Sequence, residues 1–381
     1  MKICAIICEF NPFHNGHKYL IDRAREAYDC DAVLCIMSGN FTQRGEICVL
    51  DKYTRARHAI SGGADLVIQL PAPFAVAPAE IFARGAVKIL SAIPSVEAIA
   101  FGCESGDKEN FERNARLLID ESEAFKKALN EKLNLGESYI KSYAAAFNTV
   151  GGNGELVSNP NNILGLEYTK AIARQKADIE ILPIRRVGGG FNDGELKDNY
   201  SSAGAIRKNL QSEKIKSNVP DFVYKDLENA GNTAEFESML RHCLFKAQPS
   251  DLKKIYGCGE GLENKLKSLE NEPLESLIER ATSKRYSSSR IKRILTANML
   301  ELYDCDKFLN TDLYIKPLAV KKKRADEILS ALAKASFPVI TGVNGEALSP
   351  IARECFEKDR LEHSTYSHLS RSQNKDYMIL V

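Results

Sequence analysis

His14 and His17 stand on either side of Asn15 and Gly16, a spacing that lets two imidazoles address one acceptor. Imidazole N–H groups are suitable donors to a phosphoryl group that gathers negative charge as it is attacked. The run before them, Lys2-Ile3-Cys4-Ala5-Ile6-Ile7-Cys8, is short, apolar and rich in β-branched residues, the composition of a buried strand. Glu9-Phe10-Asn11-Pro12-Phe13 then makes a turn, and His17-Lys18-Tyr19-Leu20-Ile21-Asp22-Arg23-Ala24 has the pattern of an amphipathic helix starting near Gly16. A helix start offers unpaired backbone N–H groups and a positive dipole end, the usual seat of a phosphate. Gly16 would let a nucleotide approach the backbone closely. The plain alternative is that both histidines merely cap or pack the helix.

Further elements must position this junction. Asp31-Ala32-Val33-Leu34-Cys35-Ile36-Met37-Ser38-Gly39 predicts a second strand, and Asp51 is placed to cap a helix through about Ser61. Asp65 to Leu70 is a third strand stopped by Pro71, Ala79 to Leu90 a helix, Val96 to Gly102 a fourth strand, and Ile179 to Ile184 a fifth. A helical stretch from Asp107 to about Ala146 and a loop through Asn161 and Asn162 lead to a helix from Ile163 to Arg174. Alternating strands and helices predict an α/β fold with a doubly wound parallel sheet. Ligands of such sheets bind beyond the carboxyl ends of the strands, where the loops after strands one, two and four would converge. Gly188-Gly189-Gly190 breaks regular structure, and a helix follows Ser201-Ser202. Beyond residue 195 the pattern is mainly helical with few strand signals, which suggests domains at 1–195 and 196–381.

The strand–turn–HxGH–helix arrangement resembles the nucleotidyltransferase superfamily, which attacks the α-phosphate of ATP and releases pyrophosphate. Candidate phosphate ligands fit that chemistry. Arg185 and Arg186 close the fifth strand, and Ser201, Ser202 and Arg207 begin the next helix. The two serines could equally be ordinary helix caps. Gly102 could let adenine or ribose lie on the backbone, Asn161 and Asn162 could satisfy polar edges of the nucleotide, and Arg44 could contact phosphate. His58 reads as structural.

The bulk composition narrows the setting. With 52 basic and 51 acidic side chains the net charge is only +1, so a polyanion must be met by local patches. Several of the ten cysteines fall in apolar strand-like runs, where they behave as small hydrophobes, and none has zinc-ligand spacing. No metal site is expected from spacing. The N-terminus has no signal-peptide pattern and no apolar run is long enough to span a bilayer, so a cytoplasmic protein is expected.

Longer motifs sharpen the resemblance. Cys8-Glu9-Phe10-Asn11-Pro12-Phe13-His14-Asn15-Gly16-His17 is similar to the opening of the bacterial tRNA(Met) cytidine acetate ligase family. The same holds for Met37 to Glu46, Asp65 to Pro71, Pro160 to Gly165, Ile184 to Gly188 and Lys284-Arg285-Tyr286 with Arg290-Ile291. The resemblance implies that acetate attacks ATP to give acetyl-adenylate, whose acetyl group passes to the wobble cytidine of elongator tRNA(Met), giving N4-acetylcytidine. It implies catalytic roles for His14 and His17. Its ATP site is Ile7, Cys8, Glu9, Phe10, Asn11, Pro12, Phe13, His14, Asn15, Gly16, His17, Lys18, Tyr19 and Leu20, with Gly102, Asn162, Arg185 and Arg186. Mg²⁺ is expected with ATP. Gly204 stands where a hydroxyl residue is often seen in the superfamily.

An RNA partner needs a basic surface. Lys284, Arg285, Arg290, Lys292 and Arg293 form one acid-free run around Tyr286, which could stack on a base, and Lys316 with Lys321-Lys322-Lys323-Arg324 forms another. A small-molecule adenylyltransferase would leave these runs idle, and a non-catalytic RNA-binding protein would leave the histidines idle.

Overall fold

Ile3–Cys8 (β1), Ala32–Ser38 (β2) and Leu66–Leu70 (β3) are buried at every position, as strands covered on both faces must be. The computed structural model describes residues 1–104, 106–119, 121–136, 138–187, 195–228, 230, 234–370 and 375–381. Val96–Cys103 (β4) and Glu180–Arg185 (β5) complete the parallel set. Between β1 and β5 run α1 (Asn15–Tyr28), α2 (Lys52–Ser61), α3 (Ala72–Ala75), α4 (Ala79–Ser91), α5 (Lys108–Ile119), α6 (Glu123–Asn134), α7 (Tyr139–Thr149) and α8 (Pro160–Gln175). Beyond β5 come α9 (Ala203–Lys208), α10 (Asp221–Leu227), α11 (Ala234–Lys246), α12 (Pro249–Leu252), α13 (Leu262–Ser268), α14 (Leu274–Ala281) and α15 (Ser288–Met299). Strand β6 (Pro317–Val320), α16 (Ala325–Leu332), α17 (Pro350–Ser370) and strand β7 (Ile379–Leu380) follow.

The seven strands form one sheet in the order β5-β4-β1-β2-β3-β6-β7. The chain moves outward through β2 and β3, then returns to the other side of β1 for β4. The order therefore reverses between β1 and β4, which places the crevice of a doubly wound sheet at their carboxyl ends. Strand β6 is antiparallel to β3, and β7 is parallel to β6. These two strands belong to the half that the sequence presents as mainly helical. Both are short, and β7 is only half covered, so their period-2 signal is weak. Gly188-Gly189-Gly190 lies outside the described residues.

Local signals set the helix starts. The Asp51 carboxylate accepts from the Tyr53 and Thr54 N–H groups, so α2 begins where an N-cap aspartate puts it. Helix α8 begins at Pro160 rather than Ile163, because proline at the first helical position already has helical φ and lacks only an N–H that would be unpaired there. Asn161 and Asn162 thus lie on its first turn, not in the loop expected from sequence.

A buried ionic cluster ties the end of the chain to the sheet. The Lys52 ammonium lies 2.9 Å from Asp376 and 3.7 Å from Glu362, and donates to Gln69 at 3.0 Å. Lys316 reaches Asp376 at 2.5 Å, and the Tyr53 hydroxyl donates to the same carboxylate at 2.6 Å. Tyr314 and the Ala72 N–H both donate to Asp359 of α17. Charges this deep persist only when paired and hydrogen-bonded.

Candidate active site

The two signature histidines are built into the start of α1. His14 is its N-cap: Nδ1 accepts from the Gly16 N–H at 3.1 Å, while His17 Nδ1 accepts from the His14 N–H at 3.3 Å. The rings stack with centroids 3.6 Å apart and planes 23° apart, and Phe10 packs on His17 at 4.7 Å. Burial, then the Arg186 and Arg207 guanidinium groups, push His14 down to about 3. His17 is lowered well below the ordinary histidine range by burial, then by His14 and Arg186. Both rings are therefore neutral near pH 7. With each Nδ1 already an acceptor, the single ring proton sits on Nε2. Helix capping and chemistry are thus not rival readings: the caps orient the rings so that their Nε2–H groups are donors.

A cleft of about 370 Å³ opens at the carboxyl ends of β1 and β4. The positive potential that disfavours imidazolium there is the same potential that would draw in a polyphosphate. Arg186 leaves the end of β5 and donates to Asn161 at 3.2 Å; burial lowers its own proton affinity. Arg207, on α9, donates to the Asn11 carbonyl at 2.7 Å and pairs with Glu46 at 2.8 Å. Arg185 is exposed at the cleft edge. Gly102 leaves room for Arg186, whose Cγ would stand 3.2 Å from an added Cβ.

Of the residues expected from sequence, Ile7, Cys8, Glu9, Phe10, Asn11, His14, Gly16, His17, Tyr19, Leu20, Gly102, Arg185, Arg186, Ser201, Ser202 and Arg207 line this cleft, as does Arg44. Pro12, Phe13, Asn15, Lys18 and Asn162 do not. Phe13 is fully buried behind the motif, and Asn15 donates to the Asn199 and Ser217 carbonyls. Lys18 pairs with Asp22 on the outer face of α1. Asn162 is buried and accepts from the Glu104 N–H, so Asn161 is the asparagine of the pair that faces the cleft. Ser202 caps α9 through the Ala205 N–H and lines the cleft as well. His58 is held by Asp226 at 2.7 Å and is not part of the lining.

Phe82 and Tyr168 reach the cleft from α4 and α8, and Tyr200 from the segment before α9. A buried aromatic on a helix reads in sequence as ordinary core, so nothing distinguished the first two. Thr42, Gln43 and Glu46 enter on the loop after β2, and several groups brace that loop. The Arg55 guanidinium, itself fully buried, donates to the carbonyls of Glu9, Ser38, Gly39 and Leu50. Glu362 of α17 accepts from the Asn40 N–H, and Thr296 of α15 donates to the Gly45 carbonyl at 2.9 Å. Arg293 donates to the Gln43 carbonyl at 3.3 Å, and Tyr366 donates to the Cys48 carbonyl at 3.1 Å. Gly45 has φ +73°, and an added Cβ would collide with the Arg293 backbone.

These contacts revise the basic surface expected from sequence. Tyr286 is buried with the Arg290 guanidinium 4.8 Å from its ring centroid, so it is no free stacking platform. Arg293 serves the loop, and burial, then Arg290, lower it to about 10. Lys316 is buried in the ionic cluster, while Lys321 and Arg324 pair with Asp65 at the amino end of β3, the opposite end of the sheet from the cleft. Lys284, Arg285, Lys322 and Lys323 remain exposed, with Arg285 ion-paired to Glu260.

Residues 1–378 match the family described as HIGH Nucleotidyl Transferase. The tRNA(Met) cytidine acetate ligase of Thermoanaerobacter sp. (strain X514) is 35% identical over 384 residues, covering 96% of this chain and 95% of the relative. That of Clostridium acetobutylicum is 35% identical, covering 90% and 91%. The apo crystal structure of Thermotoga maritima TmcAL superposes with a TM-score of 0.87 at 28% identity, covering all of both chains. TmcAL bound with alpha-thio ATP gives 0.84 at 30% identity, covering 99% of this chain and 96% of that one. The neutral histidine pair at a switch-point crevice and the near full-length similarity agree: this chain belongs to the HIGH nucleotidyl transferases and, among them, to the tRNA(Met) cytidine acetate ligase family.

Proposed function

We propose that this chain activates acetate with ATP and transfers the acetyl group to the wobble cytidine of elongator tRNA(Met). The observation that carries the reading is the stacked, neutral histidine pair with its Nε2–H donors beside Arg186 and Arg207. An acetate oxygen attacks the α-phosphorus, and pyrophosphate leaves with the pair of the broken P–O bond. The Nε2–H groups of His14 and His17 stabilise charge on the α-phosphoryl oxygens without giving up a proton. Arg186 and Arg207 hold the outer phosphates, and Ser201 and Ser202 border them. Mg²⁺ would arrive with the triphosphate oxygens, because the described residues offer no group of three or more His, Cys, Asp or Glu that could hold a metal. In the second step the N4 amine attacks the acetyl carbon and AMP leaves.

The division at 1–195 and 196–381 is proposed as a functional one, with nucleotide chemistry centred on the first part and completed by Ser201, Ser202 and Arg207 of the second, which also carries the RNA contacts. Exposed Lys284 and Arg285 are the favoured phosphate contacts. The cytoplasm is the proposed setting, where tRNA and ATP meet; among the described residues no helix is long and apolar enough to cross a membrane.

The test is to incubate the purified protein with ATP, labelled acetate and elongator tRNA(Met). Pyrophosphate release and N4-acetylcytidine by mass spectrometry are expected; absence of both sinks the reading. Within the site, Arg186→Ala removes one charge-assisted contact and is expected to raise the KM for ATP about 10–100-fold. An unchanged KM would remove Arg186 from the phosphate site.

A further inference from the structure

Acyl transfer to an amine needs a group to take the amine proton, and the histidines cannot serve. Their Nδ1 atoms are occupied by backbone N–H groups and their Nε2 atoms carry hydrogen. The arginines that line the cleft have no acceptor. The Cys8 thiol is pushed up by burial and donates to the Ile36 carbonyl, and burial likewise raises the Tyr168 phenol. Among the described residues two carboxylates line the cleft, Glu9 and Glu46. Glu46 is committed to Arg207 at 2.8 Å and Lys292 at 3.6 Å.

We infer that Glu9 is the general base that accepts the N4 proton during acyl transfer, an assignment that rests on the acetate–tRNA ligase reading. Its Oε1 accepts from the Gln43 N–H at 2.6 Å, which fixes the carboxylate, while Oε2 takes no hydrogen bond or ion pair from the described residues. The residue follows β1 directly and faces the loop on which α15 is docked. It shares the cleft lining with the histidine pair. Arg207 of α9, Arg44 and Glu46 of the loop, Tyr168 of α8 and the Cys8 and Cys48 thiols face it. Burial, the largest influence, raises its carboxyl, which brings its proton affinity closer to the working pH.

The step balances without another reactant. The N4 lone pair forms the bond to the acetyl carbonyl carbon, and the bond from that carbon to the phosphate oxygen breaks. AMP leaves with the bonding pair, and the N4 proton passes to Glu9 Oε2.

Glu9→Gln keeps an oxygen for the Gln43 N–H and removes the base. Two rates are measured: acetate-dependent ATP–pyrophosphate exchange, and single-turnover transfer from synthetic acetyl-adenylate to tRNA(Met). Transfer is expected to fall about 10²–10⁴-fold, far more than exchange, and to lose the acidic limb of its pH profile. Equal losses in both rates would make Glu9 a group of the adenylation step, and undiminished transfer would deny it any role in proton removal. Either result overturns the assignment. Absence of both activities in the unmodified protein overturns the ligase reading itself, so the two failures are distinct.

Discussion

His17→Ala is expected to lower acetate-dependent ATP–pyrophosphate exchange by roughly 10²–10³-fold, the usual cost of one preorganised donor to a charged transition state. The loss should fall on kcat more than on the KM for ATP, since charge on the α-phosphoryl oxygens is greatest as the phosphorus is attacked. tRNA affinity should be unchanged. The neutral state of both rings adds a pH signature. An imidazolium donor would give a rate limb near the ordinary histidine pKa of about 6.5; these rings, with His14 held down to about 3, should give none there. Stability, in contrast, does depend on pH in this range. Between about 6.5 and 3 the unfolded chain binds a proton on His14 that the folded chain refuses, so unfolding free energy falls as pH falls through that window. Exchange rates and urea titrations across pH 5–8, an interval of roughly neutral conditions around the histidine value, separate the two effects. A His17→Ala exchange rate within about threefold of the unmodified protein would refute the donor role.

Lys52→Met is expected to lower the unfolding free energy by about 3–5 kcal/mol, because it strips a buried cation from carboxylates that stay buried. Burial alone would push Lys52 down, yet Glu362 and Asp376 hold it above the ordinary lysine value. Without it, among the described residues Asp376 keeps Lys316 and Tyr53, and Glu362 keeps the Asn40 N–H. Urea denaturation reads the cost directly. Adding Glu362→Gln should restore part of the loss, since the remaining charge is then removed too; a double variant no better than the single one would argue against charge as the cause. ATP binding should weaken along with stability, because Glu362 also braces the loop that begins at Gly39.

Much of this was legible in the chain itself, for identifiable reasons. Strands β1 to β3 are short runs of buried apolar residues punctuated by Asp, Gly or Pro, β4 and β5 are apolar runs less fully covered, and Asp51 announced α2 by the chemistry of a cap. The histidine pair was placed correctly because its position after β1 follows from local pattern alone. What stayed hidden depends on partners distant in sequence. Lys316 looks like any surface lysine until Asp376 is seen beside it, and Tyr286 looks available until Arg290 covers it. Both asparagines are legible as nucleotide contacts, but the choice of Asn161 over Asn162 turns on the helical phase set by α8 starting at Pro160. Arg55 gave no sign of its task, since backbone carbonyls leave no mark in a sequence.

The sheet is completed by strands made late. During synthesis β1, α1 and both histidines leave the ribosome early, but β6, α17, Asp376 and β7 emerge only near the end. Until then β3 presents an open edge, Lys52 lacks its carboxylates, and the Gly39–Cys48 loop lacks Glu362, Thr296 and Tyr366. A nascent chain thus carries the whole histidine signature while its nucleotide cleft is unbraced.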